Sequence, residues 1–345
     1  MRVVTNPPNP FESRHRELLE PAPSVRLELY EDATREILSR NESPDLPFRW
    51  SLNPYRGCVH GCLYCYARPT HEYWGFGAGT DFESKIIVKR DAPALLRKAF
   101  EKRSWKGELI VFSGNTDCYQ PMEASLSLTR SCLEVCAEYR NPVGVITKGI
   151  LVLRDLDLLR QLRRAAWVRV YFSVPFADEE VARKVEPHAP TSRKRFEAMA
   201  RLSDAGIPTG LSISPIIPGL NDQDIPELLD RAKGAGATDA MATLVRLSGP
   251  VEQVFLERMG RAFPDRLAKI TRRIQDVRGG AMTDGAFFTR HHGAGPYWAM
   301  IERLFEVAKR KAGFPDRDGE TVPGTFRRPG GGQAALFQPV PEEQA

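Results

Sequence analysis

From residue 48 onward the chain alternates two kinds of pattern. Short apolar runs rich in β-branched residues predict strands at 49–53, 109–112, 143–147, 168–173, 209–214 and 240–245, with a small accessory strand at 86–89. Between them lie segments of helical period, predicting helices at 92–102, 125–139, 155–164, 192–205, 225–235, 250–261 and 265–277. Gly206-Ile207-Pro208 makes a sharp stop between one helix and the next strand. Strand–helix alternation implies a parallel sheet. The count is six β/α units before about residue 280, short of the eight that close a TIM barrel. An open partial (β/α)6 TIM-like barrel and a doubly wound sheet both fit. In either, ligands collect at the carboxyl ends of the strands.

The two ends break the pattern. Residues 1–47 carry Asn6-Pro7-Pro8-Asn9-Pro10, Pro21-Ala22-Pro23 and Ser43-Pro44-Asp45, which predict an extended N-terminal arm with little core of its own. An amphipathic helix is expected at 297–311. After Gly313 the chain turns Pro/Gly-rich, and a flexible C-terminal tail is expected. The expected organisation is therefore an arm (1–47), an α/β core with C-terminal helices (48–312) and a tail (313–345).

The bulk numbers place the chain in one class without naming its chemistry. Of 345 residues, 42% are hydrophobic and 27% charged, an ordinary globular balance. No run approaches the roughly 20 apolar residues of a membrane helix, and Met1–Pro10 lacks the apolar segment of a secretory signal. A cytoplasmic location with no membrane partner is expected. The net charge of +5 permits a nucleic-acid partner without demanding one. The six cysteines change the picture most. Three crowd into residues 58–65, and the others are Cys118, Cys132 and Cys136. Clustered thiols in a long chain point to metal or redox chemistry rather than a disulfide scaffold.

The cluster reads Asn53-Pro54-Tyr55-Arg56-Gly57-Cys58-Val59-His60-Gly61-Cys62-Leu63-Tyr64-Cys65-Tyr66. Three thiols at this spacing can point inward from one tight loop, with Gly57 and Gly61 letting the backbone fold around what they hold. Cys58, Cys62 and Cys65 are thus the candidate metal ligands. Zinc would want a fourth ligand, for which His60 and His71 are the candidates. An iron–sulfur cube held by three thiolates keeps one iron open for substrate or cofactor.

This C-x3-C-x2-C loop, with Tyr64 just before the third cysteine, resembles the signature of the radical SAM superfamily. The resemblance implies a partial β/α barrel, a 4Fe–4S cluster on Cys58, Cys62 and Cys65, and S-adenosylmethionine on the open iron. It further implies reductive cleavage to a 5′-deoxyadenosyl radical and an electron donor such as flavodoxin or ferredoxin. The turn Ser113-Gly114-Asn115-Thr116 looks like the family segment that hydrogen-bonds the methionine amino group. Lys148 and Ser173, at the ends of the third and fourth strands, match the polar groups that contact the methionine carboxylate and ribose.

Four segments sharpen the resemblance: Asn53 to Cys58, Tyr66-Ala67-Arg68-Pro69-Thr70-His71, Thr116-Asp117 with Tyr119-Gln120-Pro121, and Ile216 to Asp222. Together they are similar to a bacterial branch related to spore photoproduct lyase, the DNA repair photolyase-like proteins. That implies a lyase-type or DNA repair enzyme acting on damaged DNA or another nucleic acid. Tyr64, Tyr66 and Cys118 are then the candidate catalytic side chains. In the lyase a cysteine in the turn after the second strand returns a hydrogen atom to the product radical. Here that turn offers Gly114-Asn115, and the nearest thiol, Cys118, is either such a donor or an inert small core residue. Cys132 and Cys136, four apart on one predicted helix, read as core packing.

Other readings stay open. One is a radical SAM enzyme acting on a small molecule, a peptide or tRNA. Another is a non-catalytic iron–sulfur or zinc protein that binds nucleic acid. Arg193–Arg195 and Lys148 lie where a phosphate could be held, and Arg183, Glu186 and His188 follow the fourth strand toward the same place. In the tail, Gln333-Ala334-Ala335-Leu336-Phe337 looks like the short peptide that docks bacterial sliding clamps.

Overall fold

A computed structural model describes residues 26–315 and 321–329. Its strands are β1 (Glu28–Glu31), β2 (Leu38–Arg40), β3 (Trp50–Leu52), β4 (Tyr55–Arg56), β5 (Lys85–Val88), β6 (Ile110–Phe112), β7 (Val143–Thr147), β8 (Val168–Ser173), β9 (Thr209–Ile216) and β10 (Asp239–Leu244). The α-helices are α1 (Thr80–Ser84), α2 (Ala92–Glu101), α3 (Glu123–Leu126), α4 (Leu128–Glu138), α5 (Leu156–Ala165), α6 (Glu179–Val185), α7 (Ser192–Asp204), α8 (Ile225–Gly234), α9 (Pro250–Ala262), α10 (Leu267–Asp276) and α11 (Gly295–Lys311). No helix among the described residues is long and apolar enough to cross a membrane.

The main sheet runs β10-β9-β8-β7-β6-β3-β2. Its six strands from β3 to β10 are parallel and lie in chain order, and β2 pairs antiparallel outside β3. This order decides between the two architectures the sequence allowed. A doubly wound sheet reverses its strand order at a switch point. Here every crossover steps the same way, and right-handed crossovers that never reverse put the helices on one face, as in a barrel wall. The fold is the partial (β/α)6 barrel. The strands are legible because their side chains are buried on both faces, as in the consecutive Ile110, Val111 and Phe112 of β6.

The expected helix at 125–139 is broken. Ser127 sits at φ 51, and the chain forms α3 and α4 on either side of it. The buried Glu123 carboxylate explains the break: it accepts from the backbone N–H of Thr129 (2.9 Å) and Arg130 (3.2 Å) and so caps α4 from the preceding turn.

The crossover from β3 to β6 is the longest and carries most of the candidate chemistry. It holds β4, the cysteine loop, α1, β5 and α2. β4 and β5 join β1 in a small second sheet, order β1-β5-β4, that braces the loop from outside. Within the stretch read as a tail, residues 321–329 lie against the body. Phe326 stacks on Tyr139 and meets Phe100 edge-on, and Arg328 donates to the carbonyls of Phe100 and Lys102 at the end of α2. The peptide Gln333–Phe337 lies outside the described residues.

Candidate active site

The cysteine loop follows β4 and is stitched to the carboxyl ends of the neighbouring strands. Gly57 (φ 77) and Gly61 (φ 66) occupy the left-handed region. A side chain on Gly57 would also strike His71 and Ile86 at 2.9 Å. Asn53, just past β3, reaches the turn after β6: its amide donates to Ser113 O (3.2 Å) and to the Thr116 hydroxyl (2.9 Å), while its oxygen accepts from Tyr55 N (2.9 Å). Gln120, fully buried, donates to Gly57 O (3.1 Å) and accepts from Val59 N (3.2 Å). Leu63 N bonds Val185 O and His188 N bonds His60 O, tying the loop to the segment after β8.

Arg68 is the main brace. Its guanidinium is fully buried and donates to the carbonyls of Cys62 (2.8 Å), Gly61 (3.3 Å), Ala78 (3.0 Å) and Gly79 (2.9 Å), with Glu83 as its counter-charge. Glu83 also pairs with Arg258 of α9. The loop therefore has internal partners for its carbonyls.

The three thiols are free; Cys58 and Cys62 are buried and Cys65 is partly exposed. Burial pushes all three upward, Cys62 to about 12, and Cys58 is raised further by Asp117 and by the other two thiols. His60 and His71, the two candidates for a fourth zinc ligand, are engaged elsewhere. His60 Nδ1 lies 3.6 Å from Asp117 Oδ2, and His71 Nε2 lies 2.8 Å from Lys85 O. Among the described residues no three His, Cys, Asp or Glu side chains converge on one ion position. Thiolates of an iron–sulfur cube each take a different iron and need no common point.

A buried charge network stands beside the loop. Glu186 accepts from the Tyr64 hydroxyl and from Arg195 Nη2 (2.5 Å), with Lys148 Nζ at 3.8 Å. Arg195 also donates to Ser173 O (2.8 Å) and Pro190 O (2.7 Å). Lys148 Nζ lies 5.7 Å from the centre of the Tyr64 ring. Burial pushes the Glu186 carboxyl up, but Arg195, Lys148 and the Tyr64 hydrogen bond outweigh it and hold it below the usual range. Burial and the facing carboxylate push the Tyr64 hydroxyl well up. Asp117 joins the turn after β6 to the end of β7 through the Thr147 hydroxyl (2.6 Å) and Lys148 N (2.7 Å).

Most of the residues singled out in the sequence meet in this region, and several have their polar atoms committed. The Ser113 hydroxyl donates to Cys118 Sγ (3.2 Å), and Ser113 itself holds φ 91. Thr116 donates to Tyr55 O (3.0 Å), and Ser173 donates to Ser214 O (3.2 Å). Tyr66 is half-exposed and donates to Gly114 O (2.8 Å). Cys118 is fully buried, as are Cys132 and Cys136. Asn115 is partly exposed, and Lys148 keeps part of its side chain accessible. Arg195 is consumed by Glu186, and Arg183 is exposed on α6. Asn53, Arg68 and Gln120 stand in the motif segments quoted above, but nothing in their spacing announces a bracing role.

A family model described as the radical SAM superfamily matches residues 52–232. The chain belongs to the radical SAM superfamily. It is therefore an enzyme of the class that works with a 4Fe–4S cluster and S-adenosylmethionine. An uncharacterized protein of Mycobacterium tuberculosis is 34% identical over 255 residues, covering 71% of this chain and 75% of that one. An uncharacterized protein of Methanocaldococcus jannaschii is 32% identical over 174 residues, covering 50% of this chain and 62% of that one. Among solved structures, spore photoproduct lyase with bound AdoMet and dinucleoside spore photoproduct superposes at a TM-score of 0.57 and 16% identity, covering 83% of this chain and 78% of that one. That likeness shows the same radical SAM fold. The donor chemistry fits the cofactor the superfamily carries: three free thiols on one braced loop, at the carboxyl ends of the strands where α/β barrels bind ligands.

Proposed function

We propose that Cys58, Cys62 and Cys65 hold the 4Fe–4S cluster and that the enzyme acts on a nucleic acid. The observation that carries the reading is the loop itself, whose three thiols stand on a backbone fixed by Arg68, Gln120 and Asn53. When bound, the cluster and S-adenosylmethionine supply one-electron cleavage to a 5′-deoxyadenosyl radical that takes a hydrogen atom from substrate. The protein's own groups bind and orient. Gly114 and Asn115 offer the turn for the methionine amino group. Lys148, near Tyr64 and Glu186, offers a cation for the methionine carboxylate. Ser173 stands at the ribose side, at the end of β8. Tyr66, whose hydroxyl donates to Gly114 O beside that turn, serves the substrate radical. Cys118 acts as a packing residue: it is fully buried and its sulfur accepts from Ser113. The one-electron donor is a flavodoxin or ferredoxin, and the Gln333–Phe337 peptide is a docking element for a sliding clamp.

The nucleic-acid part rests on the motif likeness to the lyase branch and on the superposition with a lyase that holds a dinucleoside lesion. A phage relative named radical SAM Nalpha-GlyT isomerase, 24% identical over 232 residues and matched over 46% of its length, is a more distant parallel. The test is anaerobic turnover of the reconstituted enzyme with ultraviolet-irradiated DNA, intact DNA, tRNA or no polymer. Faster 5′-deoxyadenosine release with one nucleic acid is the expected result. Equal release under all four conditions would remove nucleic acid as the substrate class and favour a small molecule or peptide.

A further inference from the structure

The segment after α10 is irregular, yet it is held more tightly than its composition suggests. Arg278 donates to four carbonyls at once: Thr289 (3.0 Å), Arg290 (2.8 Å), His292 (2.8 Å) and Val245 (3.0 Å). His291 O accepts from Leu244 N at the end of β10. Arg290 forms a two-pronged pair with Asp45, through Nε (2.7 Å) and Nη2 (2.5 Å), and Asp45 also accepts from Phe288 N (3.2 Å). Asp45 belongs to the loop joining β2 to β3. The pair therefore links the two edges of the partial barrel, β10 on one side and β2 on the other.

On this braced segment two large apolar rings point outward. Phe287 is 52% exposed and Phe288 64% exposed. Phe288 holds φ 67, a left-handed backbone that a bulky residue rarely adopts. Arg290 covers only one side of the pair, 4.9 Å from the centre of the Phe287 ring. Two exposed rings on a strained backbone anchored from beneath are arranged for contact, since nothing in the local hydrogen bonding requires phenylalanine there. The adjoining charge is also uneven. Asp45 neutralises Arg290, whereas Arg246, two residues past β10, has its buried Nε without a hydrogen-bond partner among the described residues. It lies within electrostatic reach of Arg290 and Asp45 and of Tyr66, whose hydroxyl touches the Gly114 turn of the candidate site.

Aromatic faces near a guanidinium whose Nε has no hydrogen-bond partner among the described residues fit one chemistry well: a strand that offers an unstacked base and a phosphodiester. A membrane surface would suit the rings but leaves the half-buried Arg246 without a role. We propose that Phe287, Phe288 and Arg246 form a nucleic-acid contact at the open edge of the barrel, the rings stacking an unpaired base and Arg246 taking a backbone phosphate beside the site mouth. The proposal rests on the nucleic-acid reading of the substrate and adds the surface that grips it.

The test uses the full chain and direct binding, independent of SAM chemistry. Single-stranded DNA, single-stranded RNA and duplex DNA carrying a fluorescent purine are titrated with wild type, Phe287→Ala/Phe288→Ala, Arg246→Gln and Arg246→Lys. Unchanged circular dichroism and melting confirm that the variants fold. The expected result is about a tenfold or greater loss of single-strand affinity for the double phenylalanine variant, with loss of the purine's stacking signal. Arg246→Gln lowers the salt dependence by about one phosphate's worth, and Arg246→Lys restores it. Equal binding by wild type, the phenylalanine variant and Arg246→Gln overturns the contact. If nucleic acid still stimulates SAM cleavage in that case, the substrate reading stands. Absence of binding to every strand also overturns it. Failure of nucleic acid to stimulate cleavage would then remove the substrate reading as well.

Discussion

Replacing Arg68 with alanine is expected to destabilise the protein by about 3–5 kcal/mol and to strip most of its iron. Arg68 is fully buried and satisfies five acceptors: the carbonyls of Gly61, Cys62, Ala78 and Gly79, and the Glu83 carboxylate. Alanine leaves four loop carbonyls without their donor, at roughly 1–3 kcal/mol for each that water fails to reach. Glu83 keeps Arg258, so the loss falls on the loop rather than on the carboxylate. Lysine in its place recovers only part of the effect, because one ammonium cannot reproduce a planar fork aimed at two stretches of backbone. Urea denaturation and iron analysis of the reconstituted variants check both halves. Full iron retention by Arg68→Ala would mean that the thiol loop holds its shape without this brace.

The second large effect is expected at Glu186. Glu186→Gln leaves Arg195 buried and Lys148 nearby with their shared counter-charge gone, and breaking a buried pair in this way costs about 3–5 kcal/mol. The wild type should show the same dependence through pH. The Glu186 carboxyl is held below its usual range in the folded protein, so its contribution is complete above the unfolded value. That contribution is lost as pH falls through the folded value, in the acid range below the ordinary carboxylate titration. Denaturation series on wild type and Glu186→Gln, run from neutral to acid pH, should converge as the carboxylate protonates. Parallel curves with a constant gap would show that the charge is not what the network needs. Lys148 should respond as well: burial pushes its ammonium down, and Glu186, together with Cys62 and Asp117, more than offsets this and holds it above the usual value.

What could be read beforehand follows from the physics of each part. The parallel strands carry continuous apolar runs, so the β/α order was visible. The strand pattern alone left a doubly wound sheet open, because sequence does not encode strand order locally; the resemblance of the cysteine loop implied the partial barrel, and the strand order bears it out. The helix break at Ser127 was hidden because its cause is a side chain, Glu123, capping the next helix across the turn. The cysteine loop announced itself by thiol spacing. Its braces did not, because Arg68, Gln120 and Asn53 bond backbone carbonyls and amides, and such partners leave no periodic mark. Glu186 was visible only as a polar residue following the fourth strand. Its pairing with Arg195 removes a cation that looked free for phosphate. The Phe287–Phe288 segment depends on Asp45, far away in the chain, and no local pattern could predict that contact.

The central claim is that three thiols on the braced loop hold a cluster that cleaves S-adenosylmethionine. The most direct measurement is iron and sulfide content, with 5′-deoxyadenosine release under dithionite, on anaerobically reconstituted wild type and a Cys58→Ala/Cys62→Ala/Cys65→Ala variant. The account predicts about four irons per chain and 5′-deoxyadenosine from wild type, with neither in the variant. Zinc in place of iron, or a cluster and cleavage that survive in the variant, would contradict it.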